Sequence, residues 1–119
     1  MTAPAAKVWY LTIDCHDTER LAAFWGELLG VEVRGTMGDF VFLARPSEEA
    51  VALAFQRVPE GKTVKNRAHP DIHVEDLETA TAWVLEHGGE RLADHDIDGF
   101  AWRVMRDPEG NEFCLIPEQ

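Results

Sequence analysis

The sequence predicts an α+β fold built from two βαβββ modules, and three observations carry that reading. Two strand-like runs, Tyr10-Leu11-Thr12-Ile13-Asp14-Cys15-His16-Asp17 and His69-Pro70-Asp71-Ile72-His73-Val74-Glu75-Asp76, have the same length and both end in Asp. The helix-patterned stretches that follow, Asp17 to Gly30 and Asp76 to Gly89, are also equal in length. Three further strand-like runs come after each helix. A repeat of this size means one supersecondary unit used twice.

In chain order, a short polar arm precedes Val8 to Asp14, which alternates like a half-buried strand. Trp9, Leu11 and Ile13 take the packed face, and Tyr10, Thr12 and Asp14 the other. Asp17 is placed to cap a helix, because its carboxylate can accept a free backbone N–H. Leu21, Phe24, Trp25, Leu28 and Leu29 then fall on one apolar helical stripe, and Gly30 ends it. Val31-Glu32-Val33 is expected as a short strand, Gly35 to Gly38 as a turn, and Phe40 to Ala44 as the next strand. Arg45 to Glu49 is a second turn. Ala50 to Val58 forms the fourth strand, with Val51, Leu53 and Phe55 on one face and Ala52, Ala54 and Gln56 on the other.

Pro59 to Arg67 is polar and carries Pro and Gly, as a connection between halves would. It is short for a linker, so the chain reads as one domain, residues 1–119, with modules at about 8–58 and 68–118. The second module opens with His69 to Val74, where His69, Asp71 and His73 share a wet face opposite Pro70, Ile72 and Val74. Asp76 caps a helix with Leu77, Ala80, Trp83, Val84 and His87 along its buried side, stopped by Gly88-Gly89. Glu90-Arg91-Leu92, Phe100 to Met105 and Asn111 to Ile116 are its strands. The turn Asp107-Pro108-Glu109-Gly110 answers Arg45-Pro46-Ser47-Glu48.

At 119 residues and 45% hydrophobic, the chain can bury a core without disulfides or metal. Charged residues make up 28% and no low-complexity run appears, which argues against disorder. A net charge of −11 argues against nucleic acid and anionic membrane as partners, since neither gains from releasing counterions to such a surface. Met1 to Lys7 lacks the apolar core of a signal peptide, and no segment is long enough to span a membrane. Cys15 and Cys114 make no disulfide framework, so a reduced, cytoplasmic setting is expected.

Paired βαβββ modules with Phe24-Trp25-Gly26-Glu27-Leu28-Leu29-Gly30 in the first and Asp107-Pro108-Glu109-Gly110-Asn111-Glu112-Phe113 near the end resemble the glyoxalase/bleomycin-resistance/dioxygenase group, the vicinal oxygen chelate superfamily. The likeness runs from Val8 to Glu118. It is greatest to small glyoxalase-like proteins, which also have counterparts of Gln56-Arg57-Val58-Pro59-Glu60 and Lys65-Asn66-Arg67. The resemblance implies curled mixed sheets around a central cavity, with the helices outside. It turns Tyr10, Thr12, Asp14, His69, Asp71, His73 and Cys114 toward that cavity, and it implies a homodimer, the commonest symmetric assembly.

The resemblance also implies four metal-ligand positions, two per module. They fall on Tyr10, on Ala52 or Ala54 (Gln56 if the register slips by two), on His69 and on Cys114. One imidazole, one thiol and one phenol do not make the oxygen-rich open site of a metal that chelates two substrate oxygens. No metal or other cofactor is therefore expected.

The residue types leave several roles to weigh. His69 is read as touching an organic ligand rather than a metal. His69, Asp71 and Asp14 are candidates for acid–base work, Asp71 by holding an imidazole tautomer. Cys114 is read as a small buried hydrophobe rather than a nucleophile. Trp102 is a candidate aromatic wall, although the repeat does not fix its side of the strand. Trp9, Trp25 and Trp83 are assigned to the core. His16, His87 and His95 are taken as loop or helix-end residues, with Asp94-His95-Asp96 a solvated loop. The function expected is binding of a small hydrophobic or aromatic molecule without the usual metal. The alternatives are a glyoxalase-type lyase or isomerase, a metal-free acid–base enzyme using His69, Asp71 and Asp14, and an interaction domain with a vestigial cavity.

Overall fold

A computed structural model describes residues 8–118. The N-terminal arm, with the leader expectation placed on it, and residue 119 lie outside the described residues. The elements run β1 (Tyr10–Cys15), α1 (Thr18–Leu29), β2 (Val33–Met37), β3 (Phe40–Leu43), β4 (Ala52–Arg57), β5 (Asp71–Val74), α2 (Leu77–Glu86), β6 (Glu90–Ile97), β7 (Phe100–Arg106) and β8 (Glu112–Pro117). The chain divides at Gly61/Lys62 into two compact units. Each is a βαβββ module with one four-stranded sheet, ordered β1-β4-β3-β2 and β5-β8-β7-β6. The first and last strands of each module pair in parallel and the rest antiparallel, so both sheets are mixed. Among the described residues no helix is long and apolar enough to cross a membrane.

In the first module the Asp17 carboxylate accepts the Arg20 N–H at 3.0 Å, and Gly30 closes α1 in the left-handed conformation at φ 70°. Leu21, Phe24 and Trp25 are buried, as are Val41, Leu43, Leu53 and Phe55 on the sheet. Burying each such side chain stabilises the fold by about 1.5–3 kcal/mol. Strand β4 is buried at every position from Ala52 to Phe55, and Val51, expected on its packed face, precedes the strand and is exposed. The packed face expected for β1 does not form: Trp9 is 57% and Leu11 37% exposed, and Ile13 half-buried. The reason is the strand order. Strand β1 lies at the sheet edge while α1 packs on β3 and β4. Trp9 lies instead beneath the Arg45 guanidinium, 4.4 Å from its ring centroid, and leaves the expected core.

Strand β2 begins two residues later than expected and absorbs Gly35 to Met37, because these pair with β3 across a bulge. The turn shifts to Gly38, at φ 57°. Strand β6 likewise runs to Ile97 and takes in Asp94-His95-Asp96, which the sequence suggested as a loop. Their β7 partners explain this: Asp94 pairs with Arg103, and His95 with Trp102.

Helix α2 starts at the Asp76 cap, whose carboxylate accepts the Thr79 N–H at 3.0 Å. Its buried side is Thr81 and Val84. Trp83 is half-buried and His87, the C-cap, is exposed, with the two rings stacked 3.9 Å apart on the helix surface. Both therefore leave the expected core. A Cβ on Gly89 would collide with Val84 Cγ1 and lie 2.6 Å from the Arg106 carbonyl oxygen, so the chain passes α2 only with glycine there. Arg103, at 6% exposed, lies on the helix side of β7. It donates to Thr81 Oγ1 at 2.9 Å, to Glu78 at 3.1 Å and to Asp94 at 2.7 Å.

Candidate functional site

Strand register sorts the second sheet into two faces. Arg103 pairs with Leu115 on the α2 side, so Val104 and its partner Cys114 point away from the helix. Asp71 stands opposite Cys114, and His73 opposite Ile116. Period two then places Trp102 on the open face with Val104, which settles the side left undecided by the sequence. His95, the Trp102 partner on β6, stacks on it with centroids 5.0 Å apart. Phe100 leans on the other edge at 5.8 Å. Phe100 is 48% exposed. The open face thus carries an aromatic end (His95, Trp102, Phe100) and a polar end (His69, Asp71, Cys114).

At the polar end, His69 Nδ1 lies 3.2 Å from Asp71 Oδ1 and 3.9 Å from Cys114 Sγ. His69 just precedes β5, held there because the Cys114 N–H donates to the Pro70 carbonyl at 3.0 Å. Burial, reinforced by the Asp71 carboxylate, pushes the Cys114 thiol up to about 11, against a smaller opposing pull from Lys65. The thiol is therefore protonated at neutral pH and is not an activated nucleophile.

A cavity of about 700 Å³ in the second module is lined by Ala93, His95 and Val104 and by residues 62–65. That segment is strapped to β8 by Glu112, which is 4% exposed. Lys62 Nζ lies 3.2 Å from Glu112 Oε1 and 3.0 Å from Oε2, the latter an ion pair without hydrogen-bond alignment. Asn66 donates its N–H to Glu112 Oε1 at 3.2 Å and its side-chain amide to the Glu112 carbonyl at 3.1 Å. Lys62 also donates to the Val64 carbonyl, which folds the strap on itself. Burial alone would raise the Glu112 carboxyl; Lys62 and the Asn66 N–H outweigh it and hold it below its usual range. Sequence reasoning singled out neither Glu112 nor Arg103. The signal was parity: Glu112 shares the Cys114 face, and Arg103 falls among helix-facing apolar positions.

Tyr10, Thr12 and Asp14 line the corresponding face of the first sheet, opposite Ala52, Ala54 and Gln56. Tyr10 and Phe42 rings meet at 5.2 Å across β4, and Phe40 stacks on Phe42 at 5.9 Å. Asp14 is exposed. The structure brings His69, Asp71 and Cys114 together and leaves Tyr10, Thr12 and Asp14 in their own module.

The same register tests the metal positions. Cys114 pairs with Asp71 as Ala54 pairs with Thr12, so the fourth-strand position of the first module is Ala54 and not Gln56. His69, Asp71 and Cys114 do present ligand atoms within 4.8 Å of one another. Tyr10, Thr12 and Ala54 offer no carboxylate or imidazole. Among the described residues the donor group lies in the second module and mixes one imidazole, one carboxylate and one thiol.

A family model described as "Glyoxalase-like domain" matches residues 10–116. No curated protein matches the chain in sequence. Among solved structures, a variant of the fosfomycin resistance protein FosX from Listeria monocytogenes, complexed with Mn(II) and a dihydroxypropylphosphonic acid, superposes with TM-score 0.78 at 11% identity; the match covers 98% of this chain and 93% of that one. A glyoxalase/bleomycin resistance protein/dioxygenase family enzyme from Burkholderia phytofirmans PsJN gives 0.75 at 16%, covering 92% and 97%. A member of the same superfamily from Sphaerobacter thermophilus gives 0.70 at 22%, covering 96% and 98%. At these identities the likeness is one of fold.

Proposed function

The chain belongs to the glyoxalase-like domain family, and we propose that it binds a small hydrophobic or aromatic molecule without a divalent metal. The observation that carries this reading is the open face of the second sheet. There the Trp102–His95 stack and the half-exposed Phe100 present aromatic surface next to the polar His69–Asp71–Cys114 cluster. Aromatic faces with a few fixed polar groups are what small-molecule sites are made of. His73, on the same face, belongs to the proposed ligand contacts, while Tyr10, Thr12 and Asp14 line the corresponding face of the first sheet. FosX was solved with Mn(II) and a phosphonic acid bound, so a member of this fold takes small molecules; here the donor set argues for recognition by stacking and hydrogen bonds instead.

The test is a ligand-observed NMR screen of aromatic and aliphatic fragments in the presence of EDTA. Aromatic fragments are expected to bind, with the signal lost in Trp102→Ala and weakened in His69→Ala. Binding that appears only on adding Mn(II) or Zn(II) contradicts the proposal. A homodimer in a cytoplasmic setting is part of the same reading. It is supported by the buried thiols of Cys15 and Cys114, neither in a disulfide, and by exposed apolar side chains, Val33 and Met37 on edge strand β2 and Ile97 on edge strand β6. A monomer by light scattering would overturn the dimer.

A further inference from the structure

We propose that the cavity of the second module selects singly charged organic acids: Lys65 receives the carboxylate, and the cavity's own carboxylates turn doubly charged phosphate esters away. The inference rests on the small-molecule reading above and gives the ligand a charge. In a chain of net charge −11, Lys62, Lys65 and Arg106 all line this one cavity. Arg91 and Arg103, by contrast, are tied to Asp94. Two of the three lining cations are already neutralised. Lys62 Nζ lies 3.0 Å from Glu112 Oε2, and Arg106 Nη1 lies 3.6 Å from Glu90 Oε2. Among the described residues Lys65 has no carboxylate partner. It is the cation left over for a ligand.

The backbone around Lys65 is set in advance. Glu112, buried on β8, holds Lys62 on one side of it and the Asn66 N–H on the other, so one carboxylate anchors the strap at both ends. Less ordering is then left for the ligand to impose. The rest of the lining suits the body of such an acid. Val64, Leu92, Ala93 and Val104 supply apolar wall, and His95 brings an aromatic face that Trp102 backs at 5.0 Å. A carboxylate on Lys65 makes a charge-assisted hydrogen bond, about twice as strong as a neutral one. A second negative charge meets no unpaired cation. It faces Glu90, Glu109 and Glu112, which line the same cavity, and like charges brought together weaken binding. Single charge is therefore the property selected.

Three probes of matched shape test this on the full chain: phenylacetate, its neutral isostere phenylacetamide, and phenyl phosphate. Affinities are read by saturation-transfer NMR titration with EDTA at about pH 8, where phenyl phosphate is doubly charged. Phenylacetate is expected to bind about tenfold more tightly than either of the others. In Lys65→Met it should fall to the level of phenylacetamide, whose own affinity stays unchanged; Lys65→Arg should restore it. Glu90→Gln releases Arg106 and should raise phenyl phosphate affinity about fivefold with phenylacetate little changed. Phenylacetamide binding as tightly as phenylacetate, or phenylacetate indifferent to Lys65→Met, overturns the acid site and leaves the small-molecule reading standing. Phenyl phosphate binding as tightly as phenylacetate, or gaining nothing in Glu90→Gln, overturns the selection of single charge. Failure of all three to bind overturns both this site and the aromatic-ligand reading.

Discussion

Asp71 and Cys114 stand directly opposite each other on the parallel strands β5 and β8, and the carboxylate helps to keep the thiol protonated. The strand pairing that binds the second module together therefore also sets the chemistry of its open face. A cysteine in this setting is a hydrogen-bond donor and packing group.

Cys114 is expected to react with disulfide reagents along a pH profile that rises toward about 11, not toward the ordinary 9.0. That difference corresponds to about 100-fold less thiolate at neutral pH. The profile, read in a Cys15→Ser background, separates thiol acidity from simple access. Asp71→Asn should shift it to lower pH. A wild-type midpoint near 9.0 would contradict the arrangement.

Arg103→Met is expected to destabilise the second module by about 2–4 kcal/mol, because it strands Thr81 and removes the tie from β7 to both α2 and β6. Arg103→Lys should recover only part of this, since an ammonium cannot reproduce the forked contacts. Urea denaturation of both variants reads the difference.

The Arg103 hydrogen bond holds the Asp94 carboxyl down at about 2, below its ordinary 3.8. A carboxyl lowered by folding contributes stability that is fully present above 3.8 and is lost as the pH falls through about 2. Asp94 is half exposed, so solvent screening keeps the effect small. Denaturation midpoints should fall across this acid window in the wild type and fall less in Asp94→Asn.

Glu112→Gln is expected to loosen the strap at residues 62–66 while leaving β8 paired, because the Lys62 ion pair is lost and an amide is a weaker acceptor for the Asn66 N–H. Hydrogen exchange at the Asn66 amide should accelerate about tenfold or more. Unchanged exchange would mean that the strap is held elsewhere.

The architecture was legible because it rests on local signals that agree. The Asp17 and Asp76 caps, the Gly30 stop and the period-two run of β5 all mean in three dimensions what they mean in the sequence. Legibility failed where a tertiary partner decides. Trp9 and Leu11 have core-like parity, but their strand lies at the edge. Asp94-His95-Asp96 looks like a solvated loop until Arg103 and Trp102 stand across from it. His69 and Asp71 were readable from alternation, and Cys114 from the family resemblance. The strap was not, because Lys62 and Glu112 lie far apart in sequence and only the fold brings them together.

The most direct test of a ligand site that works without the usual metal is metal stoichiometry. The protein would be incubated with nickel, zinc, manganese and iron, desalted, and measured by elemental analysis. Retention far below one ion per chain, unchanged in His69→Ala, is the expected result. One tightly held ion per chain, lost in His69→Ala, would contradict it and make His69 a ligand.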